Sequence, residues 1–169
     1  MTEIYLIRHG QASFGTDDYD KLSPRGEYQC ELLGKHFAAQ GLEFAASYSG
    51  PLRRQRESAA ICDRHSGRDP EACNVLEAFR EYDAREIFNA YLPQVVEKHP
   101  EYAAAAGGQT DDRRLFQRAL MAVTAAWIAD APCAEPIERF SEFRSRVRSA
   151  VEELLERHGS GDRIAVHTS

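Results

Sequence analysis

Long apolar runs are missing from this sequence of 169 residues, and no stretch approaches the roughly 20 apolar residues of a membrane-spanning helix. The first apolar run, Ile4 to Ile7, is short and directly follows Glu3, so no signal peptide is predicted. We therefore expect a cytoplasmic protein that has no membrane partner.

Cysteine is sparse, and its spacing excludes the usual metal motifs. The four cysteines form no CxxC pair and no metal-ligand spacing with a histidine. They are Cys30, Cys62, Cys73 and Cys133. We expect reduced thiols, as in cytosolic proteins, and neither a metal site nor another cofactor.

Positive charge is in deficit, with 21 Lys and Arg against 27 Asp and Glu, a formal net charge of −6 and a pI near 5.5. This balance argues against nucleic acid as a partner. A phosphorylated ligand would need positive charge concentrated in one pocket.

The hydrophobic content of 43% and charged content of 28% are typical of a soluble globular protein, and the length predicts one domain over residues 1–169. The sequence does not indicate an oligomeric state.

The N-terminal stretch is the centre of the functional argument. Ile4 to Ile7 is typical of a buried parallel strand, and Arg8, His9 and Gly10 follow where that strand ends. Ligands of α/β sheets bind beyond the carboxyl ends of the strands, so these side chains could face a bound molecule. The alternative is a strand end with solvated polar residues.

A helix follows a polar loop from Gln11 to Lys21. Ser23 is positioned to cap the helix, Pro24 suits its first turn, and the apolar pattern continues to about Gln40.

A second junction of strand and helix lies within residues 42–65. A short strand ending at Ser49 precedes a helix from Leu52 to His65 whose first turn carries Arg53, Arg54 and Arg56. Cations at a helix N-terminus oppose the helix dipole, so this cluster predicts a nearby anion, and a phosphate would fit. For Arg53 and Arg56 we favour solvated surface charges.

The remaining chain predicts further helices and short strands, with no internal repeat. Helices are expected over 85–100, interrupted or bent at Pro93, over 115–129 and over 140–158; a short strand at 75–76; a loop over 102–112; and a final strand over 163–167.

Several motifs together resemble the histidine phosphatase superfamily, the phosphoglycerate-mutase-like enzymes. The motifs on which this resemblance rests are Arg8-His9-Gly10, Leu22-Ser23-x-x-Gly26, Ser49-x-x-Leu52-x-Arg54 with Glu57-Ser58-Ala59, and Phe79-x-Glu81. Their order and spacing match over most of residues 3–169. The resemblance implies a three-layer α/β/α sandwich around a mostly parallel sheet.

The resemblance also implies a chemistry. His9 would be the nucleophile that forms a phosphohistidine, Arg8 and Arg54 would hold the phosphoryl oxygens, and Glu81 would exchange protons with the leaving group and water. On pattern alone, Glu81 lies in a charged stretch that is typical of exposed surface. The expected partner is a small phosphorylated substrate.

A second catalytic and phosphate-binding histidine is expected near the end of the last strand. His167 is the candidate, but one alignment of the strand places Ser169 at that position instead; a buried core histidine is the alternative for His167. The family continues beyond this point, so we expect that the domain is truncated at its C-terminal end.

Departures from the mutases favour a phosphatase. The mutases resemble Arg-His-Gly-Glu-Ser-x-Trp-Asn, whereas this chain has Gln11 after the glycine and Gly15 at the place of the asparagine. A phosphatase that acts on phosphate esters or phosphohistidine is expected. A mutase-type phosphotransferase and a weakened pseudo-enzyme that binds a phosphorylated ligand remain alternatives.

Overall fold

Four parallel strands form one sheet in the computed structural model, which describes residues 1–13, 18–108 and 112–169. The strand order is β1-β4-β2-β3. The strands are β1 (Glu3–Arg8), β2 (Ala46–Ser49), β3 (Asn74–Val75) and β4 (Arg163–Thr168). The α/β class with a parallel central sheet is confirmed.

Five α-helices are described, together with shorter 3₁₀ segments. They are α1 (Pro24–Ala39), α2 (Arg53–His65), α3 (Ala84–Lys98), α4 (Arg113–Ile128) and α5 (Phe140–Arg157). The chain divides into two compact units, Met1–Glu81 with Val147–Ser169, and Tyr82–Arg146. The single domain over 1–169 stays a prediction. Within the described residues, no helix combines the length and apolarity that a bilayer crossing requires.

The first unit has helices on both faces of its sheet. One face packs Ile7 and Ala165 against the aromatic cluster of Phe37 and Phe44 and against Cys62 of α2. The opposite face packs residues of β4 against α5, with Ile164, Val166, Ala150 and Leu154 in one core. Side chains alternate between faces along each strand, which produces these three layers.

The carboxyl ends of three strands meet at one edge of this sheet. Arg8 is paired with Thr168, and His167 lies opposite both Ile7 and Ser49. Two backbone bonds extend the pairing past the strand ends: His9 N–H donates to the Thr168 carbonyl at 2.9 Å, and Gly50 N–H donates to the His167 carbonyl at 3.0 Å.

The second unit has a core of its own around α3 and α4. Tyr91, Val123 and Trp127 are buried there, and the polar atoms of both aromatic side chains are satisfied. The Tyr91 hydroxyl donates to the Ala131 carbonyl at 3.1 Å, and the Trp127 indole donates to the Glu138 carbonyl at 2.9 Å. These bonds let large amphipathic side chains occupy a core without an unpaired polar group.

Two local predictions need correction. Helix α3 continues through Pro93, because its buried residues Ile87, Tyr91 and Val95 anchor the turns before and after it, so the expected interruption is wrong and the expected bend stays a prediction. The segment expected as a loop over 102–112 contains a 3₁₀ helix, Pro100–Gly108, whose Tyr102 and Ala105 are buried in the same core. Residues 109–111 of that segment, and Gly15 in the first loop, lie outside the described residues.

Candidate active site

His9 lies just past the end of β1, with its two ring nitrogens in different environments. Nδ1 is 2.6 Å from the carbonyl oxygen of Gly10, and Arg54 Nε donates to Nε2 over 3.2 Å. Because a carbonyl only accepts, Nδ1 carries the proton and Nε2 presents a lone pair. Nε2 is therefore the ring nitrogen that can accept a hydrogen bond or act as a nucleophile.

The pKa of His9 is lowered from its ordinary value. Burial is the main cause, and the positive charges of Arg54 and Arg8 act in the same direction, against the Gly10 carbonyl and Glu81. The imidazole is therefore neutral near pH 7, as nucleophilic attack requires.

The turn at Gly10 is tied to two helices. A Cβ at Gly10 would overlap the Gly26 carbonyl of α1 and lie 2.9 Å from Cys30 Sγ, so only glycine fits. Gly10 N–H donates to Ser58 Oγ at 3.0 Å, and that hydroxyl donates to the Arg54 carbonyl at 2.7 Å. Ser58, which the sequence flagged only as part of a family motif, thus connects the turn to α2.

Arg54 joins the predicted residues into one cluster. Its guanidinium is nearly buried, with 9% of the side chain exposed, and it contacts His9, Glu81 and Asp20. The bond to Asp20 Oδ1 measures 2.6 Å, and Tyr19 lies with its ring centroid 5.7 Å from the guanidinium carbon. His9, Arg54 and Glu81, distant in sequence, are therefore neighbours.

Asp20 is the residue that sequence reasoning missed. Its Oδ2 accepts a 2.7 Å bond from Arg53 N–H, so the anion beside the N-terminus of α2 is a carboxylate of the chain itself. Arg53 likewise pairs with Asp18 and Glu57, at 2.5 and 2.7 Å, rather than being only solvated. The acidic residues of the first loop were the available signal, because an arginine cluster needs negative charge nearby.

Arg8 has an exposed side chain, and it makes no ion pair or side-chain hydrogen bond with any residue described. It lines an open cleft of about 560 Å³ in front of His9, which we call the His9 cleft. The cleft is lined by Arg8, His9, Gln11, Tyr19, Arg25 and Gln29 among others.

His167 is buried, with 1% of its surface exposed, and lies within β4 rather than beyond its end. Neither ring nitrogen has a hydrogen-bond partner in the described part of the chain. With Arg8 and His9 it lines a second cavity of about 330 Å³, and burial lowers the pKa of His167 to about 4. The ring is therefore neutral at pH 7.

Ser169 takes the position beside His9 when the strand register is continued. Arg8 pairs with Thr168, so the next residues of the two strands are His9 and Ser169. The buried amide of Gln55 donates to Ser169 Oγ at 2.8 Å and to the Phe79 carbonyl at 3.3 Å. Gln55 thus holds this strand end against the segment that leads to Glu81.

No group of three or more metal-ligating side chains that could hold an ion occurs within residues 1–13, 18–108 and 112–169.

The sequence model of the histidine phosphatase superfamily (branch 1) matches residues 4–169. The chain belongs to the histidine phosphatase superfamily. The match covers β1 from Ile4 onwards, His9 after it, and the whole of β4.

Relatives of this superfamily member include phosphatases and a mutase. A broad-specificity phosphatase of Saccharomyces cerevisiae is 25% identical over 87 residues, an alignment that covers 48% of this chain and only 38% of the yeast protein. The structure of Bacillus stearothermophilus YhfR matches with a TM-score of 0.65 and 23% identity, covering 100% of this chain and 74% of that one.

Two further structures share the fold. Phosphoglycerate mutase from Bacillus anthracis matches with a TM-score of 0.64 and 19% identity, covering 98% of this chain and 73% of its own. A mycobacterial glucosyl-3-phosphoglycerate phosphatase matches with a TM-score of 0.61 and 17% identity, covering 96% and 72%. At these identities the likeness concerns the fold, and it confirms the phosphoglycerate-mutase-like architecture.

Proposed function

We propose that this protein is a phosphatase that hydrolyses small phosphate monoesters through a phosphohistidine on His9, without a metal ion. The observation that carries the proposal is the state of His9: a neutral ring, with Nδ1–H held by the Gly10 carbonyl and the Nε2 lone pair beside the Arg54 guanidinium. The names of the phosphatases among its relatives support this reaction class.

In the first step, the Nε2 lone pair of His9 attacks phosphorus. The N–P bond forms as the bond from phosphorus to the leaving oxygen breaks, and the Glu81 carboxyl group acts as the general acid that passes a proton to that oxygen. In the second step, the Glu81 carboxylate takes a proton from water, the resulting hydroxide attacks phosphorus, and the N–P bond breaks to release phosphate.

The two arginines stabilise the charge on the phosphoryl oxygens. Arg54 Nε already points at His9 Nε2, so a phosphoryl group on that nitrogen would have its oxygens within reach of the same guanidinium. Arg8 has no competing carboxylate in the described chain and lines the cleft in front of His9. Fixed guanidinium donors of this kind stabilise a phosphoryl-transfer transition state.

A second candidate is a module that binds a phosphorylated ligand without turnover. The observation that favours it is the register of β4, in which Ser169 lies beside His9 while His167 is buried behind it. A serine hydroxyl supplies one weak donor and no positive charge, so the second-histidine role would be lost. A mutase-type transfer is the remaining alternative within the superfamily.

Replacing His9 decides between these candidates. We expect His9→Ala to lower phosphate release from phenyl phosphate by roughly 10³-fold or more, because the nucleophile is gone. The assay contains a chelator. The phosphohistidine is detected as acid-labile ³²P on the protein after incubation with a ³²P-labelled phosphate ester. His36→Ala, an exposed histidine on α1, is the matched control and should retain full activity.

Full activity in His9→Ala would contradict the proposal. The binding module would be supported instead if the wild-type protein releases no phosphate from the ester but binds phosphate, and if Arg54→Gln no longer binds it.

A further inference from the structure

We propose that the Asp20 carboxylate is an internal counter-anion of the phosphate site: its negative charge opposes a phosphoryl group at Arg54 and weakens the binding of phosphate there. The inference rests on the proposed function, because it requires that the phosphoryl group on His9 contacts Arg54. Asp20 then has two separate effects, since its contacts hold the Arg54 guanidinium in place while its charge competes with the ligand.

Asp20 engages the donors that a phosphate would use. Its Oδ1 accepts a 2.6 Å bond from Nη1 of Arg54, and its Oδ2 accepts the Arg53 N–H at 2.7 Å. The Arg54 N–H also donates to Oδ1, over 3.5 Å. A guanidinium and the first N–H groups of a helix are two kinds of donor that bind phosphate oxygens. The carboxylate contacts both kinds at once.

Helix α2 supplies no anionic or polar cap of its own at this end. Its N-cap residue is Leu52, which makes no side-chain cap bond, and its first turn carries no acidic side chain. The first N–H groups of a helix have no partner within the helix and attract an anion. Asp20 reaches these groups from the loop before α1, so a carboxylate lies where the helix end favours a negative charge.

The two carboxylates around Arg54 outweigh its positive charge. The guanidinium forms ion pairs with Asp20 and with Glu81, and it also lies 3.2 Å from His9 Nε2, the atom that would carry the phosphoryl group. Arg54 is nearly buried, so salt screens these interactions less than it screens surface pairs. Without the charge of Asp20, Arg54 faces one carboxylate instead of two, and its attraction for a phosphoryl group increases.

The loop that carries Asp20 has further attachments to α2. The Asp18 carboxylate pairs with Arg53 at 2.5 Å, and the Leu22 N–H donates to Glu57 Oε2 at 3.0 Å. An asparagine at position 20 keeps a side-chain oxygen that can accept the Arg53 N–H. Asp20→Asn therefore removes the charge while these attachments remain, which separates the electrostatic effect from a structural one.

Titration calorimetry with inorganic phosphate measures this effect apart from catalysis. We expect Asp20→Asn to bind phosphate about 5- to 20-fold more tightly than the wild-type protein, because one like charge beside the anion is removed. In steady-state assays, the inhibition constant of phosphate should fall by the same factor. A residue that only caps α2 or only positions Arg54 would have the opposite effect, since its loss would weaken the site.

Asp18→Asn is the matched control, because it removes the same charge from the same loop at an exposed position. It should bind phosphate within about twofold of the wild-type protein. Asp20→Glu keeps the charge and should show no gain in phosphate affinity. Arg54→Gln should lose phosphate binding, which assigns the titrated site to this arginine.

Unchanged or weaker phosphate binding in Asp20→Asn would overturn the inference. An equal gain in Asp18→Asn would overturn it as well, since net charge alone would then be responsible, and an equal gain in Asp20→Glu would indicate a loosened loop instead.

Hydrolysis of phenyl phosphate by the wild-type protein and not by His9→Ala is measured alongside. If that hydrolysis is absent, the proposed function fails, while the phosphate titrations still decide whether Asp20 opposes an anion at Arg54. If neither the wild-type protein nor Asp20→Asn binds phosphate, the inference fails too.

Discussion

The arginine and the histidine of the candidate site are each held by groups that do not take part in the proposed reaction. The Gly10 carbonyl determines which nitrogen of His9 is protonated, and Asp20 holds Arg54 from the side opposite Glu81. Such supporting contacts keep donors in place before the substrate arrives, which is where electrostatic catalysis obtains its advantage.

Arg54→Lys should lower kcat/KM for phenyl phosphate by about 100-fold or more, in the range seen when one preorganised donor is removed. A lysine ammonium is a point charge and cannot contact His9, Asp20 and Glu81 with separate nitrogen atoms. Arg53→Lys, at the adjacent and exposed position, should cost less than fivefold because exposed ion pairs contribute about 0–1 kcal/mol. Equal losses in the two variants would show that Arg54 acts only through net charge.

His167 should make stability depend on pH. Its pKa is about 4 in the folded protein and about 6.5 when unfolded, so the unfolded chain binds a proton that the native chain does not. The free energy of unfolding is at its full value above pH 6.5 and falls as the pH drops towards 4, by about 3 kcal/mol for this group.

His167→Phe should remove that pH-dependent part, because phenylalanine has no titratable group. The cavity beside the ring has room for the apolar side chain. Urea unfolding at pH 4.5, 5.5 and 7 measures the difference, and His36→Ala serves as the exposed control. A slope in His167→Phe as steep as in the wild-type protein would show that another group is responsible.

At the scale of elements, the site depends on how closely α1 and α2 approach. Gly34 of α1 lies against the Cys62 carbonyl of α2, and a Cβ there would overlap that oxygen and lie 2.8 Å from the His65 Cβ. The same two helices carry Arg25, Ser58 and Arg54. A glycine at the crossing therefore determines the distance between the helices that surround His9.

Gly34→Ala should lower the free energy of unfolding by about 2–4 kcal/mol, since the backbone oxygen it meets cannot move aside as a flexible side chain could. Helix propensity alone would predict the opposite sign, a gain of up to about 1 kcal/mol. Chemical denaturation distinguishes the two. His36→Ala on the same helix should change stability by less than about 0.5 kcal/mol.

For the molecule as a whole, no covalent cross-link supports the fold. All four cysteines of the sequence are described, and all four are free thiols. Burial raises the pKa of Cys30, and it raises the pKa of Cys62 to about 12, so both thiols are poor nucleophiles at neutral pH. Stability comes from the apolar cores of the two units and from their hydrogen bonds.

The thermal unfolding midpoint should therefore be the same with and without dithiothreitol, within about 1 °C. A native disulfide contributes about 2–4 kcal/mol, which would shift the midpoint by several degrees on reduction. Differential scanning fluorimetry provides the comparison. A lower midpoint in the reductant would reveal a cross-link between thiols that are free in the structure.

Local sequence patterns determined much of this protein. The β1 pattern, the Ser23 cap and the helical spacing after Leu52 act over a few residues, so strands and helices could be placed from the sequence alone; Ser23 Oγ accepts the Gly26 N–H as expected. The interruption expected at Pro93 and the loop expected over 102–112 were wrong for a non-local reason, because core contacts outweighed the local tendencies of proline and glycine.

The tertiary structure alone decided which groups meet. Asp20 holds Arg54, Gln55 holds Ser169, and β4 pairs with β1 in a register that places His167 opposite Ile7 and, when continued, Ser169 opposite His9. Each of these contacts joins segments far apart in the chain, and strand pairing can shift by two residues without changing which side chains face the core. A linear pattern cannot specify that register, and packing between the elements does.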